Sequence, residues 1–198
     1  MKNSIILIAV MIFAELATAQ NFDKDMAAAK SSFASNKLAD AHFSLQQALS
    51  EVDLVTGKKI LRLLPSQIGT LNTNKKDDNV FSNVGFVGAT VHRSWGLPAQ
   101  EASLDIISNS PLISSLTSMM NIPIIGGMMN SDKSKTVKVG GYKSRLENNG
   151  AGTTGSNYTL QIPMTSALLT FTVKNAAESD VLNYANSLPL AEIAKLVQ

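Results

Sequence analysis

Between Val87 and Val173 apolar residues recur at every second position, in six separate segments. Val87, Ala89 and Val91 alternate with Gly88, Thr90 and His92, and Ala102, Leu104 and Ile106 alternate with Ser103 and Asp105. Val137 and Val139 flank Lys138, and Tyr142, Ser144 and Leu146 alternate with Lys143, Arg145 and Glu147. Tyr158, Leu160, Ile162 and Met164 alternate with Thr159 and Gln161, and Leu169, Phe171 and Val173 with Thr170 and Thr172. Successive side chains of a strand point to opposite faces, so each segment reads as a strand with one dry and one wet side. A parallel sheet buried on both faces would instead show continuous apolar runs. The alternation therefore predicts a mainly antiparallel sheet of about six strands, covered by helices on one face only.

The rest of the chain supplies the cover. From Phe22 to Leu64 the apolar period is helical. Phe22, Met26, Ala29 and Phe33 form one stripe, and Leu38, Ala41, Leu45, Ala48, Leu49 and Val52 form a second. Ser35-Asn36 lies between them as a short turn, which makes the two helices an antiparallel hairpin. Asp53 is placed to cap a third helix carrying Ile60, Leu61 and Leu64, with Pro65 closing it and Gly57 weakening it. Further on, Asn175 and Glu178 have capping-box spacing ahead of Val181, Leu182, Ala185 and Leu188. Pro189 opens a last helix with Leu190, Ile193, Ala194 and Val197 on one stripe, and Pro111 to Met120 is a further helical segment. The polar run from Asn72 to Asn79 separates the parts. The expected fold is α+β, with a helical region over 20–72 and a sheet domain over 79–198.

Two resemblances accompany this reading. Ala29, Phe33, Asn36, Leu38, Ala41, Leu45 and Ala48 stand near the positions of the small and aromatic packing residues of a tetratricopeptide unit. The stretch resembles one such repeat, without a second copy or the terminal proline. Arrays of these repeats bind peptides on a concave face, which a single unit cannot build, so the resemblance implies a packing arrangement. The order of helical lead, two strands, helical crossover, four strands and terminal helices is similar in layout to the α+β domains of PsbP-like secreted proteins. Layout alone implies nothing about substrate.

The N-terminus carries an address. Lys2 precedes an apolar run from Ile5 to Ala14, and Ala17-Thr18-Ala19 is a small-x-small cleavage site. Residues 1–19 read as a signal peptide removed before Gln20. The run is too short to anchor the chain across a membrane, and Glu15 interrupts its end. An exported chain with no cysteine must hold itself together by packing, and it offers no thiol nucleophile or zinc-thiolate site. The expected location is the bacterial periplasm or the exterior. A net charge of +2 with interspersed signs excludes the clustered cationic surface that nucleic acid requires.

No strong catalytic pattern is present. Gly150 to Gly155 matches G-x-G-x-x-G, but the dinucleotide fingerprint must lead into a helix, and here it joins two strands as a hairpin tip. His42 and His92 are the only histidines, and no G-x-S-x-G elbow accompanies them. The acidic pairs Asp23/Asp25, Asp77/Asp78 and Glu101/Asp105 suit capping and solvation better than glycoside hydrolysis. The expectation is therefore no cofactor, no metal and no catalytic residues.

Two groups remain as candidate ligand- or partner-binding residues. Met119, Met120, Ile124, Ile125, Met128 and Met129 form an apolar segment interrupted by Pro123, Gly126 and Gly127. Thioethers can bind Cu(I), fill irregular cores or make adaptable contact surfaces, and without histidine or a Met-x-x-Met run the last two uses are favoured. Lys138, Lys143 and Arg145 should share the wet face of one hairpin, where an anionic group could dock. The leading expectation is an exported non-catalytic protein that binds a partner, ligand or envelope component. The alternatives are a hydrolase, and a lipid or membrane-surface factor using the Met-rich segment. The sequence specifies no oligomeric state.

Overall fold

The computed structural model describes residues 20–84, 87–108 and 133–197. The signal segment 1–19, the helix expected over Pro111 to Met120 and the Met-rich residues Met119 to Met129 lie outside the described residues.

The described part of helix α1 covers residues 20–34 and turns at Ser35-Asn36 into α2, Leu38–Leu63. Asn36 takes a φ of 59°, the left-handed conformation that asparagine tolerates at a helix end. No third helix begins at Asp53, because α2 runs through that position without a break. Leu64 turns extended at ψ 136° and Pro65 prevents continuation.

Among the described residues, nine strands follow. A two-stranded ribbon pairs β1, Gln67–Ile68, with β2, Leu71–Asn72. The main sheet contains β3 (Asn79–Asn83), β4 (Val87–Leu97), β5 (Gln100–Ser108), β6 (Ser134–Val139), β7 (Tyr142–Ala151), β8 (Ser156–Pro163) and β9 (Ala167–Ala176). Its order is β3-β4-β5-β9-β8-β7-β6, with every neighbour antiparallel. All six expected strands are present, and β3 is a seventh. Its sequence, Asn-Val-Phe-Ser-Asn, has too little apolar alternation to announce itself. The turn joining β6 to β7 is Gly140-Gly141, with φ of 54° and 92°, a pair that only glycine adopts freely and that suits the twist of a tight hairpin.

Two further helices close the chain: α3, Glu178–Asn186, and α4, Leu190–Leu196. The N-cap of α3 is Ala177, with no side-chain cap, so Asn175 does not form the expected capping box. Asn175 has φ 52° and turns instead to the β7–β8 hairpin tip, where its Oδ1 accepts from Thr153 Oγ1 and from the Thr154 amide. That tip is the glycine-rich segment, and it joins strand to strand as expected.

The core follows from register. Leu104, Phe171, Leu160 and Leu146 oppose one another across β5, β9, β8 and β7, and all are buried on the inner face. Ile106, Leu169 and Ile162 form the next row. Val181 and Ala185 of α3 and Leu190 and Ile193 of α4 are buried in the same core, as are Ile60 and Leu64 from the end of α2. Each fully buried large side chain contributes about 1.5–3 kcal/mol. Thr159, Gln161, Thr170 and Thr172 alternate with the core residues and stay half-exposed on the other face.

The end of α2 is tied to β4 by hydrogen bonds to the carbonyls of its C-cap and of the residue after it. Arg93 Nη1 donates to the Leu64 carbonyl at 2.8 Å, and Trp95 Nε1 donates to the Pro65 carbonyl at 2.9 Å. Helix C-terminal carbonyls lack intrahelical donors, and a cation beside them is favourable. The polar run after β2 is a loop held against the same strand. Asn74 Nδ2 donates to Ser94 Oγ and to the Gly96 carbonyl, and Ser94 Oγ donates to Asp77. Among the described residues no buried side-chain nitrogen or oxygen lacks a hydrogen-bond partner.

Candidate partner-binding surface

The helical hairpin does not bury its large apolar residues. The buried positions along its seam are small: Ala29 on α1, and Ala41, Ser44 and Ala48 on α2. Met26, Phe33, Leu38, Leu45, Leu49 and Val52 are 42–69% exposed. The expected packing of Leu38, Leu45, Leu49 and Val52 between the helices is therefore corrected. Small residues let the backbones approach, and the leucines turn outward.

These six side chains lie on one side of the hairpin. At 100° per residue, Met26 and Phe33 are rotated about 50° from Ala29 around α1. Leu38, Leu45, Leu49 and Val52 are rotated in the same sense by about 80° from the centre of Ala41, Ser44 and Ala48 around α2. The helices are antiparallel, so equal senses of rotation carry both stripes to the same side. Phe43, also exposed, falls on the opposite side of α2. The result is one apolar strip about as long as α1, roughly 22 Å at 1.5 Å per residue.

The second half of α2 leaves the hairpin and packs on the sheet at β3 and β4. Ser50 Oγ donates to Ser82 Oγ on β3 at 3.0 Å. A Cβ on Gly57 would stand 2.6 Å from Val80 Cγ1 and 3.2 Å from Ala89 Cβ, so the missing side chain lets the helix lie close to the strands. The strip is thus carried on a helix whose other end is anchored in the core.

Comparison with known protein families, curated proteins and solved structures found no match to this chain.

The open face of the sheet carries the other sequence-derived residues. Lys138 and Lys143 stand directly opposite each other across β6 and β7, both exposed. Arg145 lies two positions along, where its Nε donates to Ser134 Oγ at 2.9 Å and its Nη2 is 3.4 Å from Glu147. The structure brings the three cations onto one face, with Arg145 already engaged. His92 and Asp105 also share this face, opposite each other across β4 and β5, with Nδ1 to Oδ1 at 2.7 Å. The sequence alone places no partner for His92. The signal was present in the alternation, since both residues occupy wet positions, but the pairing needed the register. His42 is exposed on α2 and far along the chain from this pair.

Ser94, the nearest serine to His92 along β4, donates to Asp77 and accepts from Asn74. Among the described residues no three His, Cys, Asp or Glu side chains are grouped to hold a metal ion. None of the described helices is long and apolar enough to cross a membrane. The Met119, Met120, Ile124, Ile125, Met128 and Met129 candidates remain outside the described residues.

Proposed function

We propose that this chain is an exported, non-catalytic α+β protein that docks a protein partner through the apolar strip of its α1–α2 hairpin. One observation carries the reading. Six large apolar side chains align on one side of the hairpin, while the residues that hold the hairpin together are small. Soluble domains rarely leave a contiguous apolar surface of this size uncovered, and such surfaces mark interaction sites. The sheet and its tight register make a rigid base, and the hairpin presents the strip from it. Export before Gln20, to the periplasm or the exterior, is part of the same proposal and rests on the Ala17-x-Ala19 site.

The test is site-specific photo-crosslinking in the cell that exports the chain. A photoreactive residue at position 49 should yield protein adducts. The same residue at position 43, on the opposite side of α2, should yield few. Equal yields at the two positions would sink the reading. Leu49→Ser should leave the circular-dichroism spectrum unchanged, because an exposed side chain contributes little to folding.

A further inference from the structure

We infer that the partner on the strip is a second copy of this chain, docked antiparallel through the hairpin to form a four-helix interface. The inference rests on the docking reading above and goes further by naming the occupant.

Area is the first argument. Six large side chains at about half exposure offer on the order of 100 Å² each. That supplies most of the roughly 800 Å² per partner of a standard interface. The strip is straight and lies on paired helices, which favours another pair of helices laid along it over a peptide in a groove.

Charge is the second argument. Around the turn, Lys30 and Lys37 outweigh Asp40, leaving the tip of the hairpin at net +1. At the open end, Asp23, Asp25, Glu51 and Asp53 outweigh Lys24, leaving the base at net −3. A two-fold interface sets the same patch against itself, with position i facing j and j facing i. A hairpin with a positive tip and a negative base is complementary to its own antiparallel copy. A parallel copy would set tip on tip and base on base. Antiparallel packing brings opposite charges together twice, once at each end, and selects that arrangement.

Sedimentation velocity on the purified protein tests this. The protein should be dimeric at tens of micromolar, and Leu45→Glu with Leu49→Glu should be monomeric with an unchanged circular-dichroism spectrum. Lys30→Glu with Lys37→Glu should raise the dissociation constant by at least about tenfold. Adding Asp23→Lys and Asp25→Lys to that variant should recover the loss, because the charge pattern is then inverted but still self-complementary. A monomeric wild type, or a dimer unaffected by Leu45→Glu with Leu49→Glu, would overturn the inference. A charge swap that fails to recover affinity would overturn the antiparallel arrangement. A monomeric protein that still crosslinks from position 49 to a different chain would end this inference and leave the docking reading standing. Loss of both dimer and crosslink would end both.

Discussion

Arg93 grips Asp78 through two hydrogen bonds, Nε to Oδ1 at 2.8 Å and Nη2 to Oδ2 at 2.6 Å. The pair sits on the helix-covered side of β4, with side chains only 10% and 16% exposed. Its third contact, to the Leu64 carbonyl, makes one guanidinium the junction of β4, the loop before β3 and the end of α2. Two arms on a carboxylate and one on a helix terminus use the planar fork that lysine lacks.

The two carboxylate pairs of β4 should therefore behave differently. Asp78→Ala leaves Arg93 buried without its counter-charge and should destabilise the fold by about 3–5 kcal/mol. Asp105→Ala removes the partner of His92, but those side chains are 33% and 47% exposed, so the change should stay within about 1 kcal/mol. Urea denaturation of both variants checks this. Similar losses would mean that burial does not separate the two pairs.

Phe171 and Thr172 are adjacent on β9 and point to opposite faces. Phe171→Ala should cost about 3–5 kcal/mol, since the phenyl ring is fully buried against Leu104 and Leu160. Thr172→Ala should cost less than about 1 kcal/mol. Equal costs in thermal denaturation would show that both faces of the sheet are covered in solution.

Gly57 yields a prediction opposite in sign to helix propensity. Alanine is the better helix former by about 1 kcal/mol. Its methyl would meet Val80 Cγ1 at 2.6 Å, and a β-branched valine has little room to turn away. Gly57→Ala should destabilise by about 1–3 kcal/mol, as overpacking does. In a Val80→Ala background the same change should be close to neutral. A stabilised single variant would show that α2 can lift from the sheet without penalty.

Lys138 and Lys143 are like charges placed directly across a strand pair, an arrangement that opposes pairing by about 0.2–1 kcal/mol. Lys138→Glu should therefore raise stability, by up to about 1 kcal/mol and roughly 2–4 °C in Tm. Among the described strands β6 stands at the sheet edge, and lysines guard such an edge against pairing with other chains. A lower Tm for this variant would mean that the two ammonium groups are not the dominant interaction at that position.

Much of the sheet is legible in the sequence, for a local reason. Whether Leu160 or Gln161 faces inward depends only on the two-residue repeat, so the buried faces of β5, β8 and β9 read correctly. The hairpin was legible in outline and wrong in detail. Leu38, Leu45 and Leu49 have the spacing of a buried stripe, but Ala41, Ser44 and Ala48 allow closer approach and took the seam. Gly57 and Asp53 suggested a break in α2, where packing against Val80, Ala89 and Val91 instead makes glycine the residue that fits. The exposed apolar strip went unread because its residues have the same composition as a core.

By itself the sequence determined the secondary-structure type of most segments, the dry side of each main-sheet strand that it marked, and the expectation of export. These depend on neighbours a few positions apart, where periodicity, turn residues and small-residue signals act directly. The tertiary structure decided the strand order, the added edge strand β3, the union of His92 with Asp105 and of Arg93 with Asp78, and which face of the hairpin stays exposed. Each of those joins residues more than ten positions apart or weighs two competing helix faces. The balance between them is set by how closely backbones can approach, a quantity that no local pattern of apolar and polar residues encodes.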